Sequence, residues 1–568
     1  MGHTESQKKT IDSCALLRLT KDRPQVIQSL TRATTKSLDS YEKEMILAEA
    51  LYTERSRLRN QKFKFTQIST LPRRWRDQKM WGSIHSGLLK SSGEVDRTDL
   101  LERVIKYYGD EIAGRFSPRV YDFATSAVPY GFNWLLNAAS VKRFLPWKLT
   151  KNLESSLFIE GEVETLRKLE KKGTVLLVPT HQSNIDSILI GYLIYLMGLP
   201  PFAYGAGLNL FSNPILSFFM GNLGAYTVDR LKSNLIYKTT LKNYSMEILK
   251  RGTHSIFFPG GGRSRSGAIE SQLKLGLLGT GLKAQIENYK REAQNPNIYI
   301  VPMVTSYHFV LEARSLIENY LIQEGKHRFV RVSDDSGPAM IQVFRFFWKF
   351  FSSQSNFTVR IGRPLDVFGN SVDEEGRSLD LQGRPIDPKK WLTTLGKLDH
   401  NLQRDEEYTK RLGEVLVDRF YEENVVLSSH WVAFSYLRAL RKKYPDLDLY
   451  RFLRLSKNQT TIPFERFSEQ ARAVLLLLKR KEGEGKLHLS EAMRTQSFES
   501  LVQTGLKRLG NFHGVSVVEK QGELIWSGQM NLLYYYRNRL SGYGLSVKAD
   551  QGHRFLRPGE KDEQGFLA

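Results

Sequence analysis

From Ser187 to Val228 the chain carries no Asp, Glu, Lys or Arg. An uncharged run of that length either crosses a membrane or is buried in a protein core. Gly191, Gly198, Pro200, Pro201, Gly205, Gly207 and Pro214 interrupt it. Proline removes a helix hydrogen bond and glycine loosens the backbone, so one continuous spanning helix is disfavoured. The run reads instead as a core helix, a loop and a second apolar helix that touches lipid. Short apolar runs surround it: Val175 to Val178, Gly224 to Val228, Ser255 to Phe258, Ile298 to Val304 and Phe357 to Ile361. Each has strand length and is bounded by Gly, Pro or polar residues. Strands alternating with helical stretches make residues 116–370 an α/β domain. Residues 1–115 read as mostly helical, from periodic apolar positions such as Met45, Ile46, Ala48, Leu51 and Tyr52. The stretch Asp373 to Lys390, rich in Gly, Pro and charge, reads as an exposed linker or hairpin. Residues 391–568 read as mostly helical, turning polar after about Ser546.

The strand Val175 to Val178 ends at Pro179, and His181 and Asp186 follow at a spacing of five. That places His181 on a strand-to-helix turn, with the Asp186 carboxylate close enough to reach back to the imidazole. A histidine held by a carboxylate is a general base for a hydroxyl. Taken alone, the spacing arises often by chance, and the ordinary reading is a structural pair. The downstream blocks sharpen it. Gly260, Gly261 and Gly262 let the backbone approach a ligand and aim N–H groups at an anion. Arg263 and Arg265 add forked donors suited to phosphate, with Ser264 and Ser266 between and after them. Arg230, at the end of another strand, converges on the same anion in this reading. No Gly-Lys-Ser/Thr ending is present, which disfavours a nucleotide P-loop. A base beside a phosphate pocket points to a phosphorylated alcohol whose free hydroxyl is activated.

Four ordered blocks now resemble the glycerophospholipid acyltransferases, and within them the glycerol-3-phosphate and dihydroxyacetone-phosphate branch. The His-x4-Asp block is matched by His181 and Asp186, and the second block by Arg230. Phe258, Pro259, Gly261, Arg263 and Ser264 match the third, and the strand around Pro302 the fourth. Gly205 to Leu210 and Tyr535 to Asn538 favour that branch. The resemblance is dense over about residues 155–310. It implies a central mixed sheet flanked by helices. It also implies direct acyl transfer from a thioester, acyl-CoA or acyl carrier protein, to a hydroxyl of glycerol 3-phosphate, the first step of phospholipid synthesis. His181 would be the base, Asp186 its support, and Arg230, Gly261, Arg263, Ser264 and Arg265 the acceptor-binding set, with no cofactor. The closest competing acceptor is 1-acylglycerol 3-phosphate. One position departs from the pattern: Gly260 stands where glutamate is usual. That leaves open a catalytically weakened, lipid-binding homologue, or compensation by a neighbour such as Asp229.

The net charge of +23 calls for an anionic partner. Basic residues are spread along the chain, as in Arg55, Arg57, Arg59, Lys62 and Lys64, then Arg73, Arg74 and Arg76, and again Arg438, Arg441, Lys442 and Lys443. No compact basic-aromatic nucleic-acid module stands out, so no nucleic-acid partner is expected. An anionic membrane surface fits better. Phe123 to Val141 and the aromatic-basic stretch Met340 to Phe351 are candidates for interfacial attachment. The expected placement is monotopic or peripheral on the cytoplasmic side. Cys14 is the single cysteine, which excludes an internal disulfide and points to a reducing compartment. Scattered histidines and the lack of a His-Glu-x-x-His pattern predict no metal site. The polar first residues predict no signal peptide; Met1 to Ser6 fit the loose myristoylation pattern, for which an ordinary start is the simpler reading.

Overall fold

The computed structural model describes residues 11–60, 71–90, 95–126, 157–208, 214–325, 357–394, 396–510 and 516–545. At its centre is a seven-stranded sheet in the order β1-β7-β6-β2-β5-β3-β4. The strands are β1 (Leu157–Gly161), β2 (Thr174–Pro179), β3 (Ala203–Gly207), β4 (Ala225–Val228), β5 (Ser255–Ile256), β6 (Ile298–Tyr307) and β7 (Phe357–Ile361). Neighbours pair in parallel except β6 and β7, so the sheet is mixed. β2 and β6 are buried along their whole length, as unbroken apolar runs at the centre of an α/β sheet should be. The mixed α/β sheet between helical end regions agrees with the sequence reading.

Helices cover the sheet: α1 (Ala15–Lys21), α2 (Arg23–Ser37), α3 (Lys43–Asn60), α4 (Leu71–Leu88) and α5 (Arg97–Ile112) precede it. α6 (Val163–Lys172), α7 (Asp186–Leu196), α8 (Pro214–Asn222), α9 (Leu235–Lys250), α10 (Leu275–Lys290) and α11 (Ala313–Gly325) lie between its strands in sequence. α12 (Leu402–Glu422), α13 (Ser428–Lys443), α14 (Phe464–Gly483), α15 (Phe498–Arg508) and α16 (Met530–Arg537) follow. Several starts are written in the sequence. Asp96 caps α5 by accepting from the Thr98 N–H at 2.7 Å, and Asn234 caps α9 by accepting from Tyr237 at 2.9 Å. The uncharged run folds as α7, β3, α8 and β4. Where Gly and Pro interrupt the run the sequence predicts a loop; the structure instead forms β3 there, a segment of low strand propensity held by its pairing with β4 and β5.

One apolar core runs from Ile11 to Leu545 and takes in side chains of the first helices, the sheet and the last helix. Polar contacts tie the end regions to the sheet. Lys232, almost fully buried just after β4, pairs with Glu111 of α5 and sits over the rings of Tyr108 and Tyr237. Asn234 reaches Tyr108 and Glu54, and Arg57 pairs with both Glu54 and Asp77. At the other end of the chain, Asn538 donates to the Ser266 carbonyl at 2.9 Å, and Arg539 donates to Thr305 O and Asn424 Oδ1 at 2.7 Å. Gly267 lies in the left-handed region (φ +84°), and an added Cβ would meet Tyr535 O at 2.2 Å. The stretch Asp373 to Lys390 contains a small hairpin pairing Ser378 with Ile386. Lys62, Lys64, most of Phe123 to Val141, the stretch Met340 to Phe351 and the tail after Ser546 lie outside the described residues.

Candidate active site

β2, β5, β3 and β4 are mutually parallel neighbours, so their C-terminal ends open on one edge of the sheet. In open α/β sheets that edge is where ligands bind. β2 continues one hydrogen bond past Pro179, Thr180 N–H to Met303 O at 2.9 Å, and delivers His181 to it. β5 runs on through Phe257, whose N–H donates to Leu177 O at 3.0 Å, into the glycine-rich loop. β4 leads to Arg230.

Asp186 is the first residue of α7 and is fully buried. Its Oδ2 lies 2.8 Å from His181 Nδ1, and also accepts the N–H groups of Gln182 (2.7 Å) and Ser183 (3.0 Å). The Tyr307 hydroxyl donates to Oδ1. Burial and the adjacent carboxylate push the Tyr307 phenol well above its ordinary range, so it stays a donor. Four donors on one carboxylate compensate its burial. With Nδ1 on Asp186, Nε2 is the nitrogen His181 offers to a cavity. The ring packs against Phe258 in a tilted arrangement, centroids 4.4 Å apart. The histidine main chain is held as well: its N–H donates to Glu270 Oε1 at 2.8 Å, and its carbonyl accepts from Ser264 N–H at 2.7 Å.

The cavity has a volume of about 370 Å³, and His181 is on its wall. Five cations line it: Arg230, Lys238, Lys242, Arg263 and Lys274, with no carboxylate among the lining residues. Tyr204, Met220, Tyr226, Ile256 and Phe258 give it an apolar floor. Arg263 is paired with Glu312 at 3.2 Å, and Glu312 also accepts from Ser183 Oγ and the Asn184 N–H. That carboxylate therefore locks the arginine to the histidine turn. Arg230, Lys238, Lys242 and Lys274 have no ion-pair partner among the described residues, and their exposed ammonium and guanidinium groups are free for an anion. Gly261 takes φ +67°, the left-handed turn that brings the loop back, and Lys274 N–H then holds Pro259 O at 2.7 Å.

The structure thus gathers His181, Asp186, Arg230, Gly261 and Arg263. It places the other two expected residues differently. Ser264 Oγ donates to Ala268 O within its own loop, and its N–H donates to the His181 carbonyl. Arg265 is exposed and donates to Gln323, away from the cavity wall. Asp229, the neighbour suggested as compensating for the absent glutamate, lies next to Arg230 at the end of β4. It is buried, its Oδ1 accepts from the Leu231 N–H at 3.0 Å, and it does not line the cavity. Lys238, Lys242, Lys274, Glu312 and Glu270 escaped the sequence reading. The two α9 lysines had a signal: spaced by four, they share a helix face.

The family model described as Acyltransferase matches residues 160–306. That segment runs from the last two residues of β1 through most of β6 and holds every residue of the cavity wall. Over that segment the chain is similar to the acyltransferase family. Within the family it is similar to proteins named glycerol-3-phosphate acyltransferase. Identity is 35% over 175 residues with that of Haemophilus influenzae (strain PittEE), covering 30% of this chain and 20% of the relative. It is 34% over 172 residues with that of Pasteurella multocida (strain Pm70), with the same shares. It is 27% over 217 residues with that of Pseudomonas paraeruginosa (strain DSM 24068 / PA7), covering 38% and 23%. The match spans only about a fifth of the length of these relatives. Among solved structures, the 1-acyl-sn-glycerophosphate (LPA) acyltransferase PlsC from Thermotoga maritima aligns over 59% of this chain and 91% of that chain, at 16% identity and a TM-score of 0.23.

Proposed function

We propose that the protein transfers a fatty acyl group from an acyl thioester to a hydroxyl of glycerol 3-phosphate. The observation that carries this reading is an imidazole fixed by a buried carboxylate on the wall of a cavity lined by five cations. The names of the relatives similar over 175 and 217 residues support the acceptor.

In this mechanism Arg230, Lys238, Lys242, Arg263 and Lys274 hold the phosphate. His181 Nε2 accepts the proton of the hydroxyl as its oxygen attacks the thioester carbonyl. The Asp186 carboxylate keeps the proton on Nδ1 and stabilises the imidazolium that forms. The tetrahedral oxyanion collapses with loss of the thiolate, which takes the proton back from His181 and leaves as free thiol. No acyl-enzyme is required. General-base assistance of this kind contributes about 10²–10⁴-fold. Five cations exceed the charge of one phosphate monoester, which leaves room for the anionic phosphopantetheine arm shared by acyl-CoA and acyl carrier protein.

The product is an amphiphile, and the reading places the site at a membrane surface. Support comes from α8. Phe218 is exposed, Phe219 stacks on the exposed Phe123 at 6.1 Å, and the next residue, Met220, lines the cavity. No helix among the described residues is long and apolar enough to cross a membrane. Attachment to the face of an anionic bilayer, on the cytoplasmic side, is the placement proposed.

The test is thiol release by the purified protein with acyl-CoA or acyl carrier protein as donor and glycerol 3-phosphate, dihydroxyacetone phosphate or lysophosphatidic acid as acceptor. Release with glycerol 3-phosphate, lost in His181→Ala while the fold is retained, is the expected result. Release with the lysolipid alone moves the assignment to that acceptor, and no release with any pair overturns the reading.

A further inference from the structure

Position 260 is where this chain leaves the pattern it resembles, with glycine in the place usual for glutamate. The backbone does not demand glycine there: unlike Gly261, Gly260 lies outside the left-handed region. What fills the space is a neighbour. A Cβ built on Gly260 falls 3.0, 3.1 and 3.2 Å from Oε1, Cγ and Cδ of Glu270. The room that a longer side chain at 260 would need is occupied by a carboxyl group arriving from the far side of the glycine-rich loop.

That carboxyl group makes one specific contact. Its Oε1 accepts the His181 N–H at 2.8 Å. Its Oε2 is shut off from solvent and has no hydrogen-bond partner among the described residues. A buried polar atom left unpaired costs stability, so its retention needs a reason. Burial pushes the Glu270 carboxyl up to about 8, against the pull of the His181 N–H and the buried Arg539 guanidinium. The side chain is absent from the cavity wall, so it acts through His181.

We propose that Glu270 is the positioning residue of the histidine base, supplying from ten residues downstream the carboxyl group that a glutamate at 260 would supply in the usual pattern. Gly260 and Glu270 are then two halves of one exchange: glycine vacates the space, and glutamate enters it and grips the turn that carries the base. The kinetic part of this inference rests on the acyl-transfer reading; the steric part does not.

The experiment is a swap in the full chain: wild type, Glu270→Gln, Glu270→Ala, Gly260→Glu and the double form Gly260→Glu/Glu270→Ala, each measured for Tm and for kcat and KM of thiol release. Glu270→Gln keeps the oxygen that accepts from His181 and retains kcat within about threefold. Glu270→Ala frees the turn and lowers kcat by about a hundredfold, the scale of a small misplacement of a reacting group, with KM for both substrates nearly unchanged. Gly260→Glu crowds two carboxyl side chains into one space and lowers Tm. The double form regains Tm over Gly260→Glu and at least about tenfold in kcat over Glu270→Ala. Wild-type kcat in Glu270→Ala, or losses in Tm and kcat that simply combine in the double form, would overturn the proposal. So would failure of both alanine-bearing forms to fold, since a glutamate at 260 then cannot replace the one at 270. If wild type releases no thiol, the function reading has failed, and the Tm cycle still decides whether positions 260 and 270 share one space.

Discussion

Replacing Asp186 by asparagine separates two things the carboxylate does. Oδ2 gathers three N–H groups, from the His181 ring and the main chain of Gln182 and Ser183. Those donors keep the amide oxygen of an asparagine on their side, so the ring orientation and the Nδ1–H tautomer survive. The amide nitrogen then faces the Tyr307 hydroxyl, which rotates to accept. What is lost is the negative charge under the imidazolium. With charge centres about 4 Å apart and an effective dielectric constant of about 20, that charge is worth about 4 kcal/mol. Each factor of ten in rate takes about 1.4 kcal/mol, so kcat falls by about a thousandfold while KM and Tm change little. Stopped-flow thiol release and a thermal melt on the same preparation make the assay. If Asp186→Asn keeps more than a tenth of wild-type kcat, the carboxylate is not supporting a charged imidazole. Alanine is the poorer probe. It strips the acceptor from two main-chain N–H groups and the Tyr307 hydroxyl, at about 1–3 kcal/mol for each one left unpaired.

Two further outcomes follow from the same contacts. Arg230→Ala or Lys242→Ala raises KM for the phosphorylated acceptor by about tenfold or more, and added salt raises it in wild type, whereas Arg265→Ala leaves KM within about twofold; acceptor titrations at two ionic strengths check this, and equal effects at all three positions would contradict the cavity assignment. The pH dependence of stability has a stated sign. Burial holds His254 at about 4 and His430 at about 3, and His308 and His488 are also depressed by burial. Unfolded imidazoles titrate near 6.5, so the unfolded chain takes up protons first and stability falls as pH drops from about 6.5 towards 4. Glu270, His400, Glu170 and Asp366, all raised, oppose this in part. A urea midpoint that is flat or rises between pH 7 and pH 5 would refute it.

The parts legible in the sequence were those encoded locally. β2, β4, β6 and β7 announce themselves as apolar runs, and His181 and Asp186 meet because only one turn separates a strand end from a helix start. The helical end regions followed from the same periodicity. β3 was illegible because its residues have no strand preference of their own. The resemblance gives Ser264 to the acceptor and guanidinium chemistry gives Arg265 to phosphate, yet neither says which way a loop side chain turns, and the two bond Ala268 O and Gln323 instead. Glu270 was out of reach for a different reason. Its contact with His181 exists only once β2 and the loop after β5 lie side by side, and no local pattern carries that information. Gly260 was visible as an anomaly, and only three dimensions reveal what answers it.

The attachment of Asn538 to Ser266, and of Arg539 to Thr305, has a bearing on how the molecule comes into being. A ribosome that has completed residues 160–306 has made every residue of the cavity wall, but not Asn538, which fastens the glycine-rich loop from outside. The loop therefore gains this clamp only 272 residues after Ser266 has been added.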